Sequence, residues 1–258
     1  MPTWNPQQYL KFAEERSRPC RDLAARVEVA APQRIVDLGC GPGNSAEVLS
    51  ARWPQAAITG LDSSAAMIDA ARAASPRCDW CTADISEWAA AGGESFDVVF
   101  SNAALQWVGD HAVVIPQLLS HVAEGGALAI QVPGNYSSAQ HQLMREVARR
   151  AHLQVREWHT HDLDFYYDAL APHASRLDLW ATEYLHVLPN VEAIVEWYKG
   201  TGMRPYLDAL PGEPEREAFQ AEYLEGLRGI YAPQPDGAVL FPFRRIFVVA
   251  YQRTLTRS

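Results

Sequence analysis

Three glycines fall at alternate positions in Asp37-Leu38-Gly39-Cys40-Gly41-Pro42-Gly43-Asn44, between an apolar run that reads as a strand and a stretch that reads as a helix. A glycine turn at such a junction lets backbone approach a ligand that side chains would exclude, so nucleotide binding is the first chemistry to consider. The spacing is G-x-G-x-G, not the G-x-G-x-x-G of dinucleotide enzymes, whose third glycine allows close helix packing beside a pyrophosphate. It favours a ligand without pyrophosphate. Nineteen residues beyond Gly43, a second apolar run ends at Gly60-Leu61-Asp62 and places a carboxylate where a ribose diol would arrive and find two acceptor oxygens. A third run leads into Ala83-Asp84-Ile85, where a carboxylate and neighbouring backbone can read an adenine edge. A fourth, Asp97-Val98-Val99-Phe100-Ser101-Asn102, again ends in polar groups.

The elements that must carry these groups follow from periodicity. Apolar runs at 35–38, 57–61, 79–82, 96–100 and 128–132 alternate with helical stretches at 45–52, 65–73 and 112–122, closed by Trp53-Pro54, Ser75-Pro76 and Gly125-Gly126. Strands buried on both faces and separated by single helices predict a parallel, doubly wound α/β sheet, with every motif at its carboxyl edge. Upstream, Asn5 and Pro6 predict a helix start with Tyr9, Phe12 and Arg16 on one face, and a second short helix is expected over 19–29. Downstream the alternation breaks. Residues 137–150 read as helix, 177–187 as strand, 191–231 as helical segments broken by Gly200, Gly202, Pro205 and Pro211-Gly212, and 239–251 as a last strand. The chain therefore reads as a single domain over 1–258, with N-terminal helices at 5–29 and a cofactor-binding core at 33–135. A helical insertion with the last strands, 136–258, is expected to form a lid over the carboxyl ends.

Composition bounds the partners. The chain of 258 residues is 48% hydrophobic and 21% charged, enough to bury a sizeable core. Its formal charge is 22 − 31 = −9, which argues against a nucleic-acid partner, since such binding rests on basic patches that release counterions. The N-terminus lacks a basic start followed by an apolar stretch, and the longest apolar run, Ile246 to Tyr251, is far short of a membrane span. Four cysteines are too few for a disulfide scaffold, and a cytoplasmic location is expected.

Taken in order, the D-L-G-C-G-P-G loop at 37–43, the acid at Asp62, Ala83-Asp84-Ile85 and the D-V-V-F-S-N run at 97–102 resemble the class I S-adenosylmethionine (SAM) methyltransferases. The resemblance covers about the first half of the chain and implies a Rossmann-like fold with SAM as cofactor. It groups Asp37, Gly39, Gly41, Gly43, Asp62, Ser63, Met67, Asp84, Ile85 and Asn102 around that cofactor, with Tyr9 and Phe12 closing over it. Arg16 would take either the methionine carboxylate or the methyl acceptor. Enzymes acting on exocyclic amines of DNA or RNA carry an Asn/Asp-Pro-Pro-aromatic run after strand four, where this chain has Ser101-Asn102-Ala103-Ala104. Cytosine C5 enzymes need a Pro-Cys in the same region, whereas Pro19-Cys20 precedes the glycine loop.

A narrower likeness is nearly full length. The tryptophan-to-proline segment at 4–19, Gln106-Trp107, L-M-R-E-V-A at 143–148, T-G-M-R-P at 201–205 and R-I-F-V-V-A at 245–250 resemble the branch of these enzymes that esterifies trans-aconitate, a small tricarboxylate. A tricarboxylate carries about three negative charges near neutral pH, because carboxyl groups titrate at roughly 4. A chain of charge −9 must therefore supply a local cationic pocket. Arg204 and the pair Arg244-Arg245 are the candidates, and since adjacent strand residues face opposite ways only one of that pair can serve; the motif match selects Arg245. Gln106, Trp107, Asn135, Tyr136, Tyr184, His186 and Trp197 complete the expected acceptor set. The acceptor is already an anion, so no general base is required and no catalytic residue is assigned, only positioning ones. Cys78 and Cys81 are expected on opposite sides of a strand, His159 and His161 in a solvated connector, and His111 at a surface helix start, so no metal is expected. Two other readings stay open: SAM-dependent methylation of another small acid or metabolite, and a non-catalytic SAM-binding module.

Overall fold

The computed structural model describes residues 13–155 and 158–253. Tyr9 and Phe12 lie outside the described residues, and so does the side chain of Arg16. Seven strands, β1 (Arg34–Leu38), β2 (Ala57–Asp62), β3 (Asp79–Thr82), β4 (Phe96–Asn102), β5 (Val122–Pro133), β6 (Ala174–Leu188) and β7 (Val239–Gln252), form one sheet in the order β3-β2-β1-β4-β5-β7-β6. β1 to β5 pair in parallel, and β7 runs antiparallel to β5. From β1 the chain winds outward to β2 and β3, then returns to β4 and β5 on the other side. Right-handed crossovers then place the intervening helices on opposite faces. The order reverses between β1 and β4, and there an open α/β sheet has its binding crevice.

The helices are α1 (Ala13–Arg26), α2 (Asn44–Arg52), α3 (Ala65–Ala74), α4 (Ile85–Ala91), α5 (His111–Ser120), α6 (Ala139–Arg150), α7 (Leu163–Leu170), α8 (Glu192–Lys199), α9 (Arg204–Ala209) and α10 (Glu213–Ile230), with a 3-10 turn at Leu105–Trp107. The expected helix start at Pro19 does not occur: α1 runs straight through that residue and stops at Arg26. Burial of Cys20, Leu23 and Ala24 along its inner face outweighs the hydrogen bond that Pro19 cannot donate. The expected strand at 128–132 begins already at Val122, and the preceding helix ends at Ser120, so Gly125-Gly126 lies within β5 instead of ending a helix. The β4–β5 register shifts there, and a Cβ on Gly126 would sit 2.5 Å from the Asp97 carbonyl oxygen, so the bulge requires a glycine. Helices α4 and α7 escape the sequence reading, being too short to establish a periodic apolar face.

Two compact units emerge. Among the described residues, one comprises 14–134, 158–182 and 245–253, the other 135–155 and 183–244. The first has its own core around Val36, Val99, Leu118, Leu128 and Val248, and the second around Met144, Ile194, Trp197, Tyr223 and Phe241. Residues 158–182 and 245–253 thus fold with the glycine loop. Among the described residues, no helix is long and apolar enough to cross a membrane.

Candidate cofactor and acceptor site

The glycine loop follows β1, and its shape comes from three residues with positive φ: Gly39 at 70°, Gly41 at 54° and Gly43 at 98°. The amides of Gly39 and Cys40 donate to the Leu61 carbonyl at 2.7 and 3.0 Å, and the Gly41 amide donates to Asp62 Oδ2 at 3.0 Å. The Asp62 Oδ1 accepts from the Ser64 amide at 2.8 Å. The acid expected to read a ribose therefore also fastens the loop. A carboxylate has about four acceptor positions, so two remain for a diol. Burial raises the pKa of Asp62, while the Ser64 and Gly41 amides pull it the other way. Below the loop Asp37 is completely buried; it accepts from Ser45 Oγ through Oδ2, while Oδ1 has no partner. Desolvation pushes its pKa up to about 7. Asp37 sits beneath the loop as a buried support that holds its proton more readily than an ordinary carboxyl.

The loop is pressed against the turn after β4. A Cβ on Gly39 would stand 2.2 Å from that of Ala104, and 3.6 Å from Ile85 Cδ1, whereas a Cβ on Gly41 would meet nothing within 4 Å. Backbone can thus be approached at Gly41 and is sealed at Gly39. Ala103 has a φ of 55°, an uncommon conformation for a residue with a side chain. It is held there by its amide donating to the Gln131 carbonyl at 2.9 Å and by Gln106 Nε2 donating to its own carbonyl at 2.7 Å. The buried atoms Asn102 Oδ1 and Gln106 Oε1 have no partner. Two buried acceptors beside an approachable glycine suit a ligand bearing an ammonium or amide donor, as the amino-acid end of SAM does.

Other expected cofactor residues take structural work. Asp84 caps α4, its Oδ1 accepting from the Ser86 and Glu87 amides, so that oxygen is already committed and only Oδ2 remains for an adenine. Met67 and Ile85 are buried in packing, and Ser63 is exposed.

At the carboxyl edge beyond β4, Arg245 on β7 pairs in register with Pro133 at the end of β5. Arg245 is 5% exposed and its neighbour Arg244 is exposed, so strand alternation and the motif match agree on which of the two turns inward. The Arg245 guanidinium donates through Nη1 to Gln131 Oε1 at 3.5 Å. Sequence reasoning missed Gln131. Its signal was available: one amide in the otherwise apolar strand run Leu128-Ala129-Ile130-Gln131-Val132.

Two histidine assignments need correction. His111 is buried, not a surface helix start; its Nε2 meets the Leu105 carbonyl at 2.9 Å and its Nδ1 the Tyr166 hydroxyl at 3.3 Å. Burial lowers its pKa, keeping the ring neutral. His159 and His161 lie in the connector ahead of α7, where they were expected, but are half-buried and not solvated, His161 stacking on Phe165 at 3.7 Å. Trp107 is half-buried in an edge contact with Trp158 at 5.7 Å.

The remaining acceptor candidates belong to the other unit. Tyr184, His186 and Trp197 are buried there in an aromatic cluster, His186 standing 4.8 Å from Trp197, with Phe241 and Phe243 beside them. Asn135 donates to the Tyr198 hydroxyl at 3.2 Å, and Arg145 lies over Tyr136 at 4.1 Å. Arg204 opens α9 and pairs with Asp208 at 2.9 Å, with its side chain 28% exposed. Its charge is already partly answered.

The methyltransferase domain family matches residues 35–126. Curated relatives named trans-aconitate 2-methyltransferase include one from Azoarcus sp. (strain BH72), 50% identical over 97% of this chain and 99% of its own length. Others come from Rhodopseudomonas palustris (strain BisB5), 47% identical over 97% and 99%, and Paracidovorax citrulli (strain AAC00-1), 45% identical over 97% and 98%. Among solved structures, the YcgJ protein from Bacillus subtilis has a TM-score of 0.62 at 12% identity, covering 92% of this chain and 99% of that one. Haemonchus contortus phosphoethanolamine N-methyltransferase 2 in complex with S-adenosyl-L-methionine has a TM-score of 0.60 at 15% identity, covering 96% and 56%. The glycine loop at the sheet's switch point and the extent of this similarity place the chain in the trans-aconitate 2-methyltransferase family of SAM-dependent class I methyltransferases.

Proposed function

We propose that this chain transfers the methyl group of SAM to a carboxylate oxygen of trans-aconitate, giving a monomethyl ester. The observation that carries the reading is Arg245, a guanidinium almost entirely buried at the carboxyl edge of the sheet, in the same unit as the glycine loop. A permanently charged, planar, five-donor group in such a place is suited to gripping an anion with carboxylate geometry. Gly41, Asp62 and Asn102 are the groups proposed to hold the cofactor, the first by close approach of its backbone and the others by their remaining acceptor positions. When bound, SAM supplies a methyl group on positively charged sulfur.

The chain itself contributes placement. A carboxylate is ionised near neutral pH, its pKa being roughly 4, so no residue has to remove a proton to create the nucleophile. Arg245 would hold the acid while the oxygen–methyl bond forms as the sulfur–methyl bond breaks, so that the carboxylate and the sulfur would lose their charges together. A site screened from water favours a step in which both charges disappear. Arg245 holds a carboxyl group that does not react and thereby aims the one that does. Arg204, paired with Asp208, is the second candidate for that grip.

The test is direct. Purified protein is given SAM labelled in the methyl group, with trans-aconitate, cis-aconitate, isocitrate and citrate compared by kcat/KM. Base-labile label transferred preferentially to trans-aconitate is the expected result. Label on another acid moves the proposal to that acid, and SAM binding without transfer to any acid removes it.

A further inference from the structure

β5 is buried along its length after the bulge, and Gln131 is the one amide among its residues there. It is completely buried. A guanidinium has donors only, so the oxygen of the amide must be the atom that faces Arg245, and the nitrogen must point elsewhere. That nitrogen, Nε2, is buried and has no hydrogen-bond partner. Buried amide donors are almost always satisfied, and one that is not calls for a missing acceptor.

The sheet register says where the acceptor belongs. Gln131 is paired with Asn102 across β4–β5, and Pro133, two residues on, is paired with Arg245 across β5–β7. Register-paired residues and those two apart on a strand share a face, so Asn102, Gln131 and Arg245 form a row on one side of the carboxyl edge. Asn102 Oδ1 and Gln131 Nε2 are complementary in type, yet each lacks a partner. The two therefore serve different ligand groups. The acceptor at Asn102 suits an N–H, while the donor at Gln131, beside the Arg245 cation, suits an anion.

We propose that Gln131 is a specificity-determining residue of the acceptor site, whose carbonyl orients the Arg245 guanidinium while its amide N–H donates to a carboxylate oxygen of the acid. The proposal rests on the carboxyl-methylation reading above and names a further group that selects the acid. At 3.5 Å the Gln131–Arg245 contact is at the outer limit of a hydrogen bond, and it turns the amide so that Nε2 is the atom left to donate to the acid.

The experiment uses Gln131→Glu, which keeps an oxygen toward Arg245 but replaces the donor with negative charge, and Gln131→Met, which keeps the volume and removes both hydrogen-bonding atoms. Each is assayed with a panel of mono-, di- and tricarboxylic acids. Binding of S-adenosylhomocysteine, measured by calorimetry, reports folding and cofactor affinity. The expected result is a KM for the preferred acid raised roughly tenfold or more in both variants, more in Gln131→Glu, with kcat reduced less and S-adenosylhomocysteine affinity within about twofold of wild type. Unchanged KM values with intact S-adenosylhomocysteine binding overturn the assignment of Gln131 alone. Weakened S-adenosylhomocysteine binding with an unchanged acid KM also overturns it, giving Gln131 to the methionine carboxylate. Should Gln131→Met lose S-adenosylhomocysteine binding and Gln131→Glu keep both that affinity and wild-type acid KM, Gln131 is structural and the proposal falls. Wild-type protein that methylates no carboxylic acid defeats the underlying reading and this inference with it.

Discussion

Replacing Gly39 by alanine tests whether the glycine loop is shaped by backbone conformation alone or also by contact. The residue has a φ of 70°, a left-handed conformation that costs an L-amino acid about 1–2 kcal/mol. Its added Cβ would also stand 2.2 Å from the Cβ of Ala104, far inside van der Waals contact. Ala104 cannot yield easily, because the preceding Ala103 is pinned by Gln131 and Gln106. Overpacking of this sort costs about 1–3 kcal/mol, so Gly39→Ala should lose about 2–5 kcal/mol in all. Gly41→Ala provides the control, since its φ of 54° carries the conformational cost while its Cβ would meet nothing within 4 Å. It should lose only about 1–2 kcal/mol. For a chain of about this size each kcal/mol moves the melting temperature by roughly 2–4 °C, which predicts a fall of roughly 4–20 °C for Gly39→Ala and about 2–8 °C for Gly41→Ala. Thermal melts of both variants, with calorimetric titration of S-adenosylhomocysteine, make the comparison. Affinity should drop in both variants, at Gly39 because its displacement carries Asn102 and Ala103 with it, and at Gly41 because the added Cβ takes the space through which the cofactor is proposed to approach the backbone. If the two variants melt together, or if Gly39→Ala binds S-adenosylhomocysteine like wild type, the contact with Ala104 does not shape the loop.

Arg245→Met should raise the KM for the acid roughly tenfold or more while leaving S-adenosylhomocysteine affinity intact, because a charged hydrogen bond is lost from the acceptor and none from the cofactor. Arg245→Lys should fall between the two, and an unaltered KM in both removes Arg245 from the acceptor site. The Asp37 carboxyl predicts a pH effect on stability without ligand. Its pKa is raised to about 7 when folded, against an ordinary value near 4, so the folded state holds a proton that the unfolded state releases across that interval. Stability contributed by the neutral acid is complete below about pH 4 and is lost as pH rises toward 7, at up to about 1.4 kcal/mol per pH unit. Urea titrations of wild type and Asp37→Asn from pH 5 to 8 should therefore show the wild type losing stability relative to the variant, and parallel curves would mean that Asp37 is ionised where it lies.

Some of this molecule is written in short windows of its sequence. Alternate glycines between a strand and a helix declare a turn that only residues without a Cβ can make, and positive φ at Gly39, Gly41 and Gly43 follows from chirality. The period of the apolar runs announced the sheet, and the alternation of a strand required Arg244 and Arg245 to face opposite ways. The rest depends on neighbours far along the chain. No local signal tells that α1 continues through Pro19 or that Gly126 tucks under the Asp97 carbonyl. Gln131 and Arg245 are 114 residues apart, and their meeting depends on β5 pairing with β7 in one register and no other. His111 looked like a surface residue because its burial is set by Tyr166 and the Leu105 carbonyl, which folding brings to it. Sterics and period are properties of a few consecutive residues and can be read from them. Burial and hydrogen-bond partnership belong to pairs that only the assembled sheet brings together, and the proposed acceptor chemistry depends on those pairs.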